Sequence, residues 1–465
     1  MLFNSFEFLL FFLPVTLVVY FLLIRTGHTP ASRYWLFFAS LFFYSWWNPF
    51  YLPLIVGSIL FNFFIGKQLN GIHPVTFKRK MLWIGILVNI GMLVYFKYCN
   101  FFIDNLNLLI EDKIILARII LPLGISFFTF QQVSYLIDSY NGKAKDYDFL
   151  SYSLVVTFFP HLIAGPIVQY KDVIPQFEQS DNLKFNSFNF SKGLYIFFIG
   201  ITKKVIIADS FAVLANQGYS NTSSLNLLDS WMTSLSYSFQ LYFDFSGYSD
   251  MAIGLALLFN INLAINFNSP YRALTIQDFW RRWHITLSSF LRDYLYIPLG
   301  GNRHGEFNTL RNLLLTFVLG GLWHGAGWTF IFWGFLHGFG QIVFTLWKKT
   351  SLRLPDWLAW FVTFNYVNLA WVFFRSSSWR EAIQLLEGML GLRGLGSLHS
   401  SVLTDLSLVP LLLIGVVLLF YKNSIELAQE FKTDYKHFAY LFILMIAGLI
   451  FMNSITANDF LYFDF

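Results

Sequence analysis

The sequence predicts an all-α, polytopic transmembrane helical bundle, and three observations predict it. Of 465 residues, 56% are hydrophobic and only 12% charged, whereas a soluble domain carries about a quarter charged residues. Apolar runs recur from Phe8 to Phe451, although several are short of the roughly 20 residues a helix needs to cross the hydrocarbon. Aromatic side chains make up 21% of the chain, with 57 Phe. Trp and Tyr suit the membrane interface, while Phe suits lipid or an apolar tunnel wall. The 31 basic and 26 acidic residues are spread along the chain rather than gathered on one face, which sets aside a nucleic-acid binder. The lone Cys99 excludes an intramolecular disulfide and any multi-cysteine metal site, and no metal site is expected.

The elements follow in order. Phe8–Ile24 is long enough to span, and it is not a cleavable leader, because Met1–Glu7 has no basic residue and no small-residue cleavage site follows. Tyr34–Trp47, Tyr51–Ile65 and Met81–Phe96 are the next spans. The loop Arg25–Arg33 holds two basic residues and no acidic one, Trp47–Tyr51 holds no charge, and Lys67–Lys80 holds four basic residues. Lys and Arg collect on the cytoplasmic side, so the amino terminus is expected outside. Further spans are read at Ile114–Tyr135, Ser151–Ile167, Gly193–Leu214 and Trp231–Leu258. The stretch from Asn260 to Asn312 is interrupted and rich in Arg, as partial or interfacial helices lining a cavity are. The closing spans are Leu310–Leu322, Thr329–Leu346, Trp357–Phe374, Leu408–Tyr421 and Phe438–Phe451. No internal repeat or low-complexity linker divides the chain, so residues 1–465 are read as one polytopic domain.

Two histidines, each preceded by tryptophan, are the candidate chemistry. His324 is the only ionisable side chain between Leu313 and Phe335, and ionisable groups in a membrane span are costly and mark function. Imidazole titrates near neutrality, which suits proton transfer. The alternative is a hydrogen bond across a close helix contact at Gly321 and Gly325, a small-xxx-small pair. If the segment were one helix, Trp328 would share the face of His324. His284 follows Arg281 and Arg282 and precedes Thr286, with Arg292 one turn beyond Ser289. This segment reads either as an interfacial helix whose arginines meet lipid phosphate or as an anion site for a phosphate-bearing donor held by Arg281, Arg282 and Arg292. Asp244 and Asp250 are expected to pair with the arginines of the following segment, and His161 and His337 to be structural. No His-Glu-x-x-His, Gly-x-Ser-x-Gly or Walker A phosphate-loop pattern is present.

These residues carry a resemblance. Asp278-Phe279-Trp280-Arg281-Arg282-Trp283-His284, followed by Leu291–Gly301, together with Gly321-Leu322-Trp323-His324-Gly325, resembles the membrane-bound O-acyltransferases. Tyr242–Gly254, Ala370–Arg375, the early Tyr44-Ser45-Trp46-Trp47 and the closing Asp459–Phe465 extend the likeness over the whole chain. It is nearest to the bacterial branch that holds the membrane subunit of alginate O-acetylation and its relatives acting on cellulose and peptidoglycan. The resemblance implies that His324 is catalytic and that His284 occupies the second signature position. It implies a central tunnel or funnel, and acetyl-CoA as the donor, reached from the cytoplasm. It implies a polysaccharide acceptor such as alginate, cellulose or peptidoglycan, an extracytoplasmic acetyltransferase or glycan-export subunit as partner, and residence in the bacterial inner membrane. The alternatives are D-alanyl transfer to teichoic acid from a carrier protein, and a proton-coupled transporter or flippase with the histidines as relay.

The charge pattern of the first loops generates one prediction. A reporter active only outside the cytoplasm, fused after Lys80, stays silent. Bright signal from that fusion inverts the orientation.

Overall fold

The computed structural model describes residues 1–144, 147–395, 415–454 and 460–461. Among them every regular element is helical. Six helices are long and apolar enough to cross a membrane: Phe8–Arg25, Pro49–Asn70, Val75–Leu106, Trp328–Trp347, Asp356–Arg375 and Tyr435–Met452. The protein is therefore an all-α, multi-pass membrane protein.

The observed breaks have local causes. The span expected at Ile114–Tyr135 begins as a helix only at Ile125. Pro122 lacks an amide donor, and Gly124 takes a left-handed φ of 70° at the helix start, so residues 114–121 run outside any helix. The expected span Ser151–Ile167 divides into Phe149–Thr157 and a single turn at Phe159–Leu162. Pro160 cannot donate to the preceding turn, and the chain kinks at Phe158. Lys78, Arg79 and Lys80 lie within the first turns of the Val75–Leu106 helix rather than in a loop. The expected Leu408–Tyr421 span lies outside the described residues up to position 414, as does the closing motif except for Phe460 and Leu461. The Asn260–Asn312 stretch is made of short helices, Ile276–Arg282 and Ile285–Leu291, followed by a wider π-type turn at Arg292–Tyr296.

The described chain forms two compact units. One comprises Met1–Phe198, Ser249–Ala264 and Thr433–Leu441. Its helices Leu52–Asn70 and Val75–Leu106 are tied by Asn62 and Asn89, whose amides donate to one another at 3.1 and 2.6 Å. Paired polar side chains of this kind hold helices together where surrounding lipid leaves little hydrophobic drive.

The other unit comprises Ile199–Tyr248, Ile265–Lys432 and Phe442–Phe465. Two contacts organise it. Where the helices Glu306–His324 and Trp328–Trp347 cross, a Cβ on Gly321 would run into the Phe330 carbonyl oxygen, and one on Gly334 into the Phe317 carbonyl oxygen. Elsewhere, buried Lys204 bridges two carboxylates, 2.6 Å from Asp209 and 3.1 Å from Asp244. Asp244 thus pairs with a lysine, not with the arginines that follow it. Its second oxygen accepts the Leu461 amide at 3.0 Å, and Phe460 stacks on Tyr248 with centroids 4.3 Å apart. A buried ammonium between two carboxylates satisfies groups that would otherwise carry a large desolvation cost.

Candidate active site

His324 is the last residue of the Glu306–His324 helix and is 3% exposed. The helix stops there because Gly325 is fully extended, with φ −158° and ψ 149°. Trp328 consequently does not share its face. It opens the next helix and is 55% exposed. The imidazole is walled instead by Trp323, Trp333 and Phe374, with ring centroids 4.8, 5.0 and 5.3 Å away, each near edge-on. Trp333 reaches it because Gly334, next in sequence, lets the two helices meet backbone to backbone.

His284 lies in the turn between the two short helices, with φ 43° and ψ 55°. A left-handed conformation is uncommon for a residue with a Cβ, and such strain gathers at functional sites. The ring is fully buried. Its Nδ1 is 3.3 Å from Asn266 Oδ1, the same oxygen that accepts the Thr286 amide at 3.2 Å and the Thr286 hydroxyl at 2.7 Å. An atom accepting a backbone N–H is the carbonyl end of the amide, so the proton of neutral His284 sits on Nδ1. Nε2 is left with its lone pair and, among the described residues, no hydrogen-bond partner. Phe245 closes one side, edge-on at 4.8 Å.

The two histidines belong to one unit and are joined through aromatic rings. Trp333 stacks on Trp371 at 5.5 Å, and Trp371 lies 5.0 Å from Trp283, the neighbour of His284. His337, expected in the core, is indeed fully buried, and it borders the same cluster at 4.7 Å from Trp333. Trp280 Nε1 donates to its Nδ1 at 3.1 Å, which places the His337 proton on Nε2.

The arginines divide. Arg281 and Arg282 line a cavity of about 630 Å³ together with Arg272, Asn268, Asp278 and Glu426. Arg282 Nε donates to Asp278 at 2.9 Å, one helical turn back. Three guanidiniums against two carboxylates leave the cavity cationic, and guanidinium suits phosphate. Arg292 does not line it. It is exposed, and its Nε and Nη2 donate to adjacent Asp293 at 2.7 and 3.0 Å.

Two backbone hydrogen bonds couple this cavity to His284. The Asn268 amide donates to the Arg282 carbonyl at 2.9 Å, and the Ile285 amide to the Asn266 carbonyl at 3.0 Å. Asn266 meets the imidazole, and two residues on Asn268 lines the cavity. Sequence reading singled out neither Asn266 nor Arg272 as a site residue. The signal available was the alternation Asn266-Phe267-Asn268 before Ser269-Pro270. Among the described residues no group of three or more His, Cys, Asp or Glu side chains is arranged to hold a metal ion. The arrangement offers an imidazole lone pair in buried surroundings, a second imidazole behind aromatic walls, and a cationic anchor two residues from the first.

Residues 75–378 match the sequence profile of MBOAT, the membrane-bound O-acyltransferase family. The chain is 45% identical to a peptidoglycan O-acetyltransferase of Helicobacter pylori, in an alignment covering 100% of the chain and 98% of that protein. It is 42% identical to a probable alginate O-acetylase of Pseudomonas aeruginosa, over 90% of the chain and 81% of that protein. A teichoic acid D-alanyltransferase of Streptococcus thermophilus is 28% identical over 54% of the chain and 68% of that protein.

The anchoring of His284 predicts a stability effect. Asn266→Leu removes the acceptor of the His284 Nδ1 proton and of two Thr286 hydrogen bonds, and an unpartnered buried donor costs about 1–3 kcal/mol. The thermal midpoint in detergent falls accordingly, while Asn266→Asp, which keeps the acceptor, recovers most of the loss. Equal melting of Asn266→Leu and the unmodified chain refutes the anchor.

Proposed function

This chain belongs to the membrane-bound O-acyltransferase family, and on that premise we propose that it carries acetyl groups from cytoplasmic acetyl-CoA to an extracytoplasmic polysaccharide. That it is a multi-pass membrane O-acyltransferase follows from the family. The acetyl donor, the bacterial inner membrane and the outward amino terminus are our reading. So is a partner that completes transfer outside, an acetyltransferase or a glycan-export subunit. The acceptor class rests on full-length similarity to a peptidoglycan O-acetyltransferase and on the alginate acetylase match. The D-alanyl reading draws on a relative that aligns with about half of the chain.

The observation that carries the proposal is the cationic cavity whose Arg282 lies two residues from a buried imidazole with a fixed tautomer. Coenzyme A bears phosphates, and Arg272, Arg281 and Arg282 would hold them, so that the thioester enters the aromatic interior. His324 takes the proton from the acceptor hydroxyl as its oxygen attacks the thioester carbonyl carbon. The new C–O bond forms, the C–S bond breaks, and the proton is passed on to the departing thiolate. Positioned proton transfer of this kind is worth roughly 10²–10⁴-fold. His284, with its lone pair on Nε2, orients donor or acceptor beside it. Burial of both rings keeps water from competing for the acetyl group.

Two tests follow. His324→Ala folds and loses glycan acetylation. If it folds and acetylates fully while His284→Ala is inactive, the two histidines exchange roles. Arg281→Gln and Arg282→Gln each remove a charge-assisted contact worth about 1.5–3 kcal/mol. The KM for acetyl-CoA therefore rises roughly tenfold to a hundredfold, with less change in kcat. Arg292→Gln leaves KM near that of the unmodified enzyme. A KM that moves only with Arg292 places the donor outside the cavity.

A further inference from the structure

A second cavity, of about 760 Å³, lies on another side of the Trp328–Trp347 helix, between its later turns and the first turns of the Asp356–Arg375 helix. Its walls are apolar: Phe339, Val343 and Trp347 from the first helix, and Ala359 and Val362 from the second. These walls are open to the surroundings, with Phe339 47%, Val343 46% and Val362 51% exposed. At one end the loop joining the helices supplies a cationic mouth. Lys348 gives one hydrogen bond to Gln277 at 3.2 Å and lies over the Phe344 ring at 5.2 Å. Arg353 is exposed and has no hydrogen-bond or ion-pair partner among the described residues. The opposing charge at this mouth is Asp356, in the first turn of its helix, where the positive end of the helix dipole already meets it. Two cations and one carboxylate leave the mouth net positive.

An apolar slot between two candidate membrane helices, capped by basic residues, is complementary to an amphiphile with one anionic head and a hydrocarbon tail. Basic pockets between membrane helices bind anionic lipid head groups in this manner. We propose that the slot is a binding site for an anionic phospholipid, its phosphate between Lys348 and Arg353 and an acyl chain along Phe339, Val343 and Val362. The helices it would wedge are the two that carry Trp333, His337, Trp371 and Phe374 on their buried sides, so the occupant braces the wall of the aromatic cluster. Leu274 lines both this slot and the arginine cavity, which puts the lipid beside the donor anchor. Occupancy itself is independent of the acyl-transfer chemistry.

Full-length protein, stripped of lipid in detergent and returned to bilayer discs, is titrated with phosphatidylglycerol or phosphatidylcholine. Bound lipid is counted by mass spectrometry of the intact complex, a readout that needs no turnover. The unmodified chain retains phosphatidylglycerol in preference, and because each cation near a head group contributes on the order of 1 kcal/mol, the preference is about thirtyfold. Lys348→Glu with Arg353→Glu abolishes the preference while leaving apolar retention. Val343→Trp fills the slot and loses retention of either lipid. Equal retention of both lipids by the unmodified chain overturns the proposal. So does a preference that survives the charge reversal, which alone decides the matter should Val343→Trp fail to fold. Loss of acetylation in His324→Ala bears on the catalytic reading only, and leaves lipid retention where it was.

Discussion

Backbone meets backbone at Gly321 and Gly334, and the arrangement around both histidines depends on that contact. Within a bilayer, lipid tails are as apolar as the side chains they surround. Helices therefore associate through close packing and polar contacts rather than through exclusion of water. Without side chains at the crossing, the helix that ends in His324 lies directly on the helix that carries Trp333. Trp333 then touches His324 on one hand and His337 on the other, and stacks on Trp371. A methyl group at either glycine would strike a carbonyl oxygen, and overpacking of this kind typically costs 1–3 kcal/mol. The register of the aromatic wall is set by two residues with no side chain.

What the sequence made legible follows from what lipid demands. Composition and run length identify membrane helices, because unsatisfied backbone in hydrocarbon is prohibitive and long apolar helices solve that problem locally. His324 stood out for the same reason, as one ionisable group in a long apolar run. The less legible features depend on partners remote in sequence. Asn266 acquires its role only when the chain returns after eighteen residues to pair with Ile285 and His284. Arg272 joins Arg281 and Arg282 because a turn at Ser269–Arg272 folds it against their helix. Arg292 reads with Arg281 and Arg282 as an anion-binding arginine of one segment, but the carboxylate of its immediate neighbour holds it. Trp328 leaves the face of His324 because the condition of one continuous helix fails at Gly325 and Gly327. The same glycines that promised close packing ended the helix.

The two histidines illustrate how one side chain is specialised by its surroundings. His284 is held by an amide oxygen that also binds its own helix start, so orientation and tautomer are fixed together. His324 is bordered by aromatic rings. The amide clamp resists change at Nδ1 of His284, while the rings bordering His324 meet it near edge-on. This division suits a pair in which one ring moves a proton and the other presents a constant face.

The contact between Asp244 and the Leu461 amide has a consequence for biogenesis. Lys204, Asp209 and Asp244 are translated well before the donor that completes the hydrogen bonding of Asp244, which comes from a segment more than two hundred residues later. Until then one carboxylate oxygen lacks that backbone donor, and the Tyr248 ring lacks its stacking partner Phe460. The unit that bears the histidines is thus closed by its own latecomer. A chain that stops short of Leu461 lacks both the amide that donates to Asp244 and the ring that covers Tyr248, so the buried Lys204 site is left without two of its contacts.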